Sequence, residues 1–183
     1  MRIILGMTGA SGSAFGVQFL KECPGEKYLV MSRWARSVMH QETGLTLEDL
    51  APYAKKVFSN EDMNAPFASG SNPFDAFVIL PCSVATLGRI AGGIGDTLIS
   101  RTAEVALKEK RWLIICVRET PLSGIALENA LKLSREGAVI MPISPPFYTK
   151  PQSLDDLYSG FASKVMNLLG VPAAAGWRAE ELD

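Results

Sequence analysis

Histidine and cysteine are scarce in this chain, and neither sign of charge is in excess. A single histidine, His40, stands among 183 residues, so no histidine-based metal site can be assembled from it, and no metal is expected. The three cysteines, Cys23, Cys82 and Cys116, form no CxxC pair and leave an odd count. That argues against a zinc or disulfide framework and suits reduced thiols in the core of a cytoplasmic protein. No apolar run approaches the roughly 20 residues that span a bilayer. Eighteen Lys and Arg face nineteen Asp and Glu, so there is no basic field for nucleic acid and no like-charge block for a solvated tail. An anionic ligand must then be held by a few placed cations. The chain enters an apolar strand at once, with no basic leader and no small-residue cleavage site, and a cytoplasmic location is expected.

What the chain does have is apolar runs in alternation. With 48% hydrophobic residues it can bury one substantial core, and a single domain over 1–183 is expected. Arg2–Gly6, Lys27–Met31, Asp75–Leu80, Trp112–Val117 and Ala138–Pro142 read as buried strands, rich in Ile, Val and Leu and bounded by Gly, Pro or polar residues. Helical stretches lie between them: Ser13–Glu22, Ala35–Thr43, Val84–Ile94, Leu98–Lys110, Gly124–Glu136 and Leu154–Leu169. Continuous apolar strands separated by helices predict an α/β fold, a doubly wound (Rossmann/flavodoxin-like) domain on a mainly parallel sheet of five or six strands. Strand order is not readable. Segment 59–74 is polar, carries Gly, Pro and Ser, and is too long for an ordinary connection, so it is expected to be a substrate-site loop. The tail, 170–183, is irregular.

Each strand leads into a polar cluster: Thr8 to Gly12, Ser32 and Arg33, Cys82 to Thr86, Arg118 to Thr120, and Ser144 to Tyr148. In open parallel sheets ligands bind outside the carboxyl ends of the strands. Hydroxyls with one or two cations at that rim suit a phosphorylated, ring-bearing ligand, although Ser, Thr and Gly also serve as ordinary turn and cap residues there. Gly6, Gly9 and Gly12 are spaced GxxGxxG, not as the dinucleotide fingerprint, and strand two ends in Ser32-Arg33 without the acidic residue that would hold a ribose. No Walker lysine follows. A glycine-rich turn opening a helix remains, whose free N–H groups can receive a phosphate.

Taken in order, MTGASG, ASGS (68–71), PCSVATL (81–87), LISRTAEVALKEKR (98–111), VRETPLS (117–123), LENALKLS (127–134), GAVIMP (137–142) and FYTKPQS (147–153) resemble the UbiX-type flavin prenyltransferases over nearly the whole chain. The resemblance implies that reduced FMN lies across the strand ends, lined by Gly9, Ala10, Ser11, Ser32, Ser83, Val84, Ala85, Thr86 and Arg118. It implies dimethylallyl phosphate against the flavin, its phosphate held by Tyr148, Lys164, Ser69, Arg101 and Lys108, with Glu119 joining if protonated; Trp177 either supplies an aromatic face to the prenyl cation or pins the tail to the surface. Glu42 matches the family's carboxylate near the reacting ring. Lys164 stands where some relatives carry Arg, which keeps the sign but gives up bidentate geometry. A homo-oligomer, a dodecamer with shared sites, is implied, as is a UbiD-type decarboxylase that receives the product.

The implied chemistry fits these residue types. An allylic phosphate leaves readily when fixed cations hold it more tightly as it departs. Arg101 and Lys108, seven apart, share one helix face, although beside Glu104 and Glu109 they also read as surface ion pairs. Closing a new ring on the flavin releases a proton, and a buried Glu42 with Ser11 as polar partner is expected to take it. His40 reads as a surface residue. A non-catalytic FMN-binding accessory subunit of an aromatic-acid decarboxylase is the alternative, in which Lys108, Lys164 and Glu42 would tolerate Ala.

Overall fold

The computed structural model describes residues 1–171. Six strands, β1 (Arg2–Met7), β2 (Glu26–Met31), β3 (Lys56–Ser59), β4 (Ala76–Cys82), β5 (Trp112–Val117) and β6 (Val139–Ile140), form one sheet in the order β3-β2-β1-β4-β5-β6. Every neighbouring pair is parallel. The helices are α1 (Ser13–Glu22), α2 (Arg33–Thr43), α3 (Leu47–Leu50), α4 (Val84–Ala91), α5 (Leu98–Lys108), α6 (Gly124–Arg135) and α7 (Leu154–Leu168).

Side chains alternate across a strand, and β1 shows the result. Ile3, Leu5 and Met7 enter a core with α1, α2 and α7, whereas Ile4 enters a second core with α4, α5 and α6. Both faces of the sheet are therefore covered, as parallel strands require. Phe19, Phe161 and Phe77 are fully buried, each worth roughly 1.5–3 kcal/mol of transfer free energy. Helix α1 lies close on β4 because Gly16 permits it: a Cβ there would stand 2.3 Å from the Leu80 carbonyl oxygen.

The expected doubly wound parallel fold is present, with β3 as the sixth strand. That strand was not foreseen, since only Phe58 of its four residues is buried. Segment 59–74 joins β3 to β4 as a loop with one 3-10 turn, Pro66–Ala68, and is anchored by apolar side chains. Ala65, Phe67 and Phe74 are buried within it, and Phe67 meets Phe58 edge-on at 4.9 Å. Asn60 ends β3 and caps α5: its backbone oxygen accepts the Leu98 amide at 2.7 Å, and its side-chain oxygen accepts the Ile99 amide at 2.9 Å. The chain then returns along α5 to the opposite rim. Helices α4 and α5 end three and two residues earlier than the periodicity predicts, α4 at the pair Gly92–Gly93, where Gly93 takes a left-handed φ of 68°.

Candidate functional site

Strand order reverses between β1 and β4, and the carboxyl ends of these neighbours open a crevice. Thr8 clasps the two ends. Its hydroxyl donates to the Pro81 carbonyl at 2.9 Å and accepts the Ser83 amide at 2.8 Å, and its own amide donates to Pro81 at 3.1 Å. Beyond Thr8 the chain passes so close to α2 that a Cβ on Gly9 would fall 2.5 Å from Trp34 Cβ.

Two helices begin at this crevice. Ser32 caps α2 by accepting the Ala35 amide, and Ser83 caps α4 by accepting the Thr86 amide. The capping role anticipated for such residues is real, yet both also line a cleft of about 270 Å³ with Gly9, Ala85 and Thr86. Sequence reading missed the rest of its wall: Trp34, Asn60, Arg89, Thr97 and Ile99. Periodicity places Arg89 three residues after Thr86 on the same helix face, but only the fold shows what that face borders.

Glu42 comes to the start of α1. The Gly12 amide donates to both carboxylate oxygens at 3.0 Å, and the Ser13 amide donates to one at 2.8 Å. The N-terminal amides of α1, expected to receive a phosphate, are thus occupied by a carboxylate. That leaves the starts of α2 and α4 as the anion-receiving helix ends of the crevice. Partial burial alone would raise the Glu42 pKa, but the Ser11 hydroxyl and the Ser13 and Gly12 amides hold it below the ordinary carboxylate range. The group is exposed in the single chain, not buried as expected, because α2 delivers it to the rim and not into the core.

Arg118 follows β5 at the same rim, its Cγ 4.0 Å from where a Cβ on Gly12 would lie. Glu119 is exposed beside it and accepts the Thr120 amide. Ser11, Gly12 and Glu42 border a hollow of about 500 Å³ with Asp155 and Tyr158 of α7. Across the first turns of α7 lies a second hollow, of about 270 Å³, that brings Tyr148 and Lys164 together with Thr149, Lys150, Ser159 and Ser163. Phe15 fixes α7 on α1 by edge-on contacts with Tyr158 at 4.9 Å and Phe161 at 5.3 Å.

Ser69, Arg101 and Lys108 form a separate group. Arg101 Nε donates to the Ala68 carbonyl at 3.1 Å, and Lys108 pairs with Glu109 at 2.9 Å beside Gly70. Arg111, just before β5, donates to the Gly70 and Asn72 carbonyls, which fixes Ser69–Asn72 at the amino end of the sheet. Arg118 is at the other end of β5, about 20 Å away at 3.3 Å per residue. Within one chain the expected residues therefore divide between two rims. Val84 packs partly against the core of the α4 face and Ala10 is buried. Trp177 lies outside the described residues. His40 is exposed at the end of α2.

The order β3-β2-β1-β4-β5-β6, with hydroxyls and two helix starts at the switch point, defines a nucleotide-binding α/β protein of the doubly wound class. A family model described as Flavoprotein matches residues 1–166. The flavin prenyltransferase UbiX of Thermoplasma acidophilum is 45% identical over 172 residues, covering 93% of this chain and 96% of the relative. Among solved structures, AnUbiX (PadA1) in complex with FMN and dimethylallyl pyrophosphate superposes with a TM-score of 0.91 at 40% identity, covering 97% of this chain and 98% of that one. The dodecameric FMN-dependent Ubix-like decarboxylase from Escherichia coli O157:H7 gives 0.92 at 39% identity, covering 97% and 99%. The chain belongs to the Flavoprotein family and, within it, to the UbiX-type flavin prenyltransferases.

Among the described residues no helix is long and apolar enough to cross a membrane.

Proposed function

We propose that this protein is a flavin prenyltransferase, which transfers a dimethylallyl group from dimethylallyl phosphate to reduced FMN and supplies the product to a UbiD-type decarboxylase. The observation that carries the reading is the grouping of Ser32, Ser83 and Thr86 in one cleft at the carboxyl rim, with Ser11 and Glu42 on the adjoining hollow, Arg118 next to Gly12, and Tyr148 with Lys164 on a third hollow across α7. The hydroxyls and two helix starts fit a flavin phosphate. Reduced FMN supplies the nucleophilic ring atoms.

The chain's own groups do the rest. Lys164 and the Tyr148 hydroxyl hold the donor phosphate and stabilise it as the allylic C–O bond breaks and phosphate departs. Arg118 and Ser11 orient the ring. Ring closure adds a flavin ring carbon and one proton across the prenyl C=C and releases the proton that the ring carbon carried. The departed phosphate supplies the first proton, and Glu42, ionised at neutral pH, accepts the second with Ser11 alongside. A carboxylate held below the usual range is a weak base, so its role is to accept a proton from an already activated carbon. Ser69, Arg101, Lys108 and Glu119 act with Trp177 on the donor side. Because Ser69 and Lys108 stand at the opposite rim, this reading requires a neighbouring chain to bring them, in a homo-oligomer of single-domain subunits in the cytoplasm.

Anaerobic incubation of the purified protein with reduced FMN and dimethylallyl phosphate, followed by mass spectrometry, tests the assignment. A flavin heavier by one five-carbon unit is expected. Unchanged FMN with both the mono- and diphosphate donors overturns it.

A further inference from the structure

Arg89 is the one charged residue among those lining the cleft at the starts of α2 and α4. It has no part in the reading above. Ser83, Thr86 and Arg89 are spaced three apart along α4 and share one face. From the cap outward, that face presents two hydroxyls and then a guanidinium. Arg118 stands on the Gly12 side of the rim, and Arg33 is exposed, its guanidinium 4.9 Å from the Trp34 ring.

The fold also aims Arg89. After α4 the chain turns back through Gly92 to Gly95: the Gly93 amide donates to Ile90 and the Ile94 amide to the Arg89 carbonyl, each at 3.0 Å. This return brings Asp96 against the guanidinium, where one Nη1–H donates to the Asp96 carboxylate. The guanidinium carries five N–H donors in a rigid fork, so one bond to Asp96 sets its plane and leaves a pair for bidentate recognition of phosphate. Because the whole chain has a net charge of only −1, a dianionic ligand must depend on such a placed cation.

We propose that Arg89, oriented by Asp96, receives the phosphate of the bound flavin nucleotide together with Ser32, Ser83 and Thr86, and so makes the site selective for FMN over riboflavin. The inference rests on the flavin reading, and its test separates the two. Dissociation constants for FMN and for riboflavin are measured by flavin fluorescence on the full-length protein stripped of cofactor, at fixed ionic strength. R89M is expected to weaken FMN binding at least tenfold and to change riboflavin binding less than twofold, with R89K intermediate for FMN. The FMN affinity of the wild type falls with added salt, and that of R89M falls less steeply. If R89M does not fold, R89K carries the comparison. Equal losses for both flavins, or none for FMN in R89M or R89K, overturn the role of Arg89 while the flavin reading stands. A wild-type protein that binds neither flavin removes that reading, and this inference with it.

Discussion

Replacing Thr8 with Val tests whether the crevice depends on one hydroxyl. Thr8 is 2% exposed, and Val keeps its shape. The Pro81 carbonyl keeps the Thr8 amide as donor, but the Ser83 amide loses the Thr8 hydroxyl that accepts it at the end of β4. An orphaned, partly buried N–H costs about 1–3 kcal/mol. A loss of about 2 kcal/mol lowers the melting temperature by roughly 4–8 °C in a protein of this size. Equilibrium unfolding in urea at one fixed protomer concentration measures the loss, because association adds to apparent stability. T8S keeps the hydroxyl and gives up a methyl, so it should lose only about 0.8 kcal/mol. Ser83 also lines the cleft, so T8V should weaken FMN binding more than T8S does. A T8V protein within about 0.5 kcal/mol of wild type, the range of neutral surface changes, refutes the idea that this clasp holds the two strand ends.

Glu42→Gln removes the charge from the start of α1. Because the folded-state pKa is depressed, wild-type Glu42 contributes stability above the ordinary carboxylate pKa of about 4.3, and the contribution disappears as pH falls through the lower folded value. Chemical denaturation from pH 3 to 7 should show E42Q less stable above about pH 4.5 and converging on wild type below; a gap independent of pH contradicts the carboxylate's anchoring role. Gly9→Ala places a Cβ 2.5 Å from Trp34 Cβ, and the forced shift should cost about 1–3 kcal/mol and weaken flavin binding, as titration would report. Lys164→Met should slow prenyl transfer by about 10²–10³ in single turnover with flavin affinity intact, and an unchanged rate would remove Lys164 from the donor site.

Much of the architecture was legible because buried parallel strands are continuous apolar runs: RIILG and WLIICV can hardly lie anywhere but between two helical layers. KVFS escaped notice for the opposite reason, being short, at an edge and exposed at Lys56. Segment 59–74 reads as loop because it is polar and carries Gly, Pro and Ser, and Phe58, Phe67 and Phe74 pack together to anchor it, a spacing of aromatics that sequence offers without saying what they meet. Ser11, Ser32 and Ser83 were readable since each follows a strand. Asn60 and Arg89 were not, because a long-range cap and a helix face acquire meaning only from what lies opposite. The glycine-rich turn misled in a specific way: its amides are free in sequence, but Glu42, thirty residues later, takes them.

The division of Ser69 and Lys108 from Arg118 by the full length of β5 has a genetic consequence. If each reaction centre draws one rim from each of two chains, a lesion on either rim inactivates that half and leaves the other half competent. Two inactive alleles, one altered at Lys108 and one at Glu42, would then complement when co-assembled, and random equal mixing would leave about a quarter of the centres wholly wild type. A protein whose centre lay within one chain would recover nothing from such a mixture.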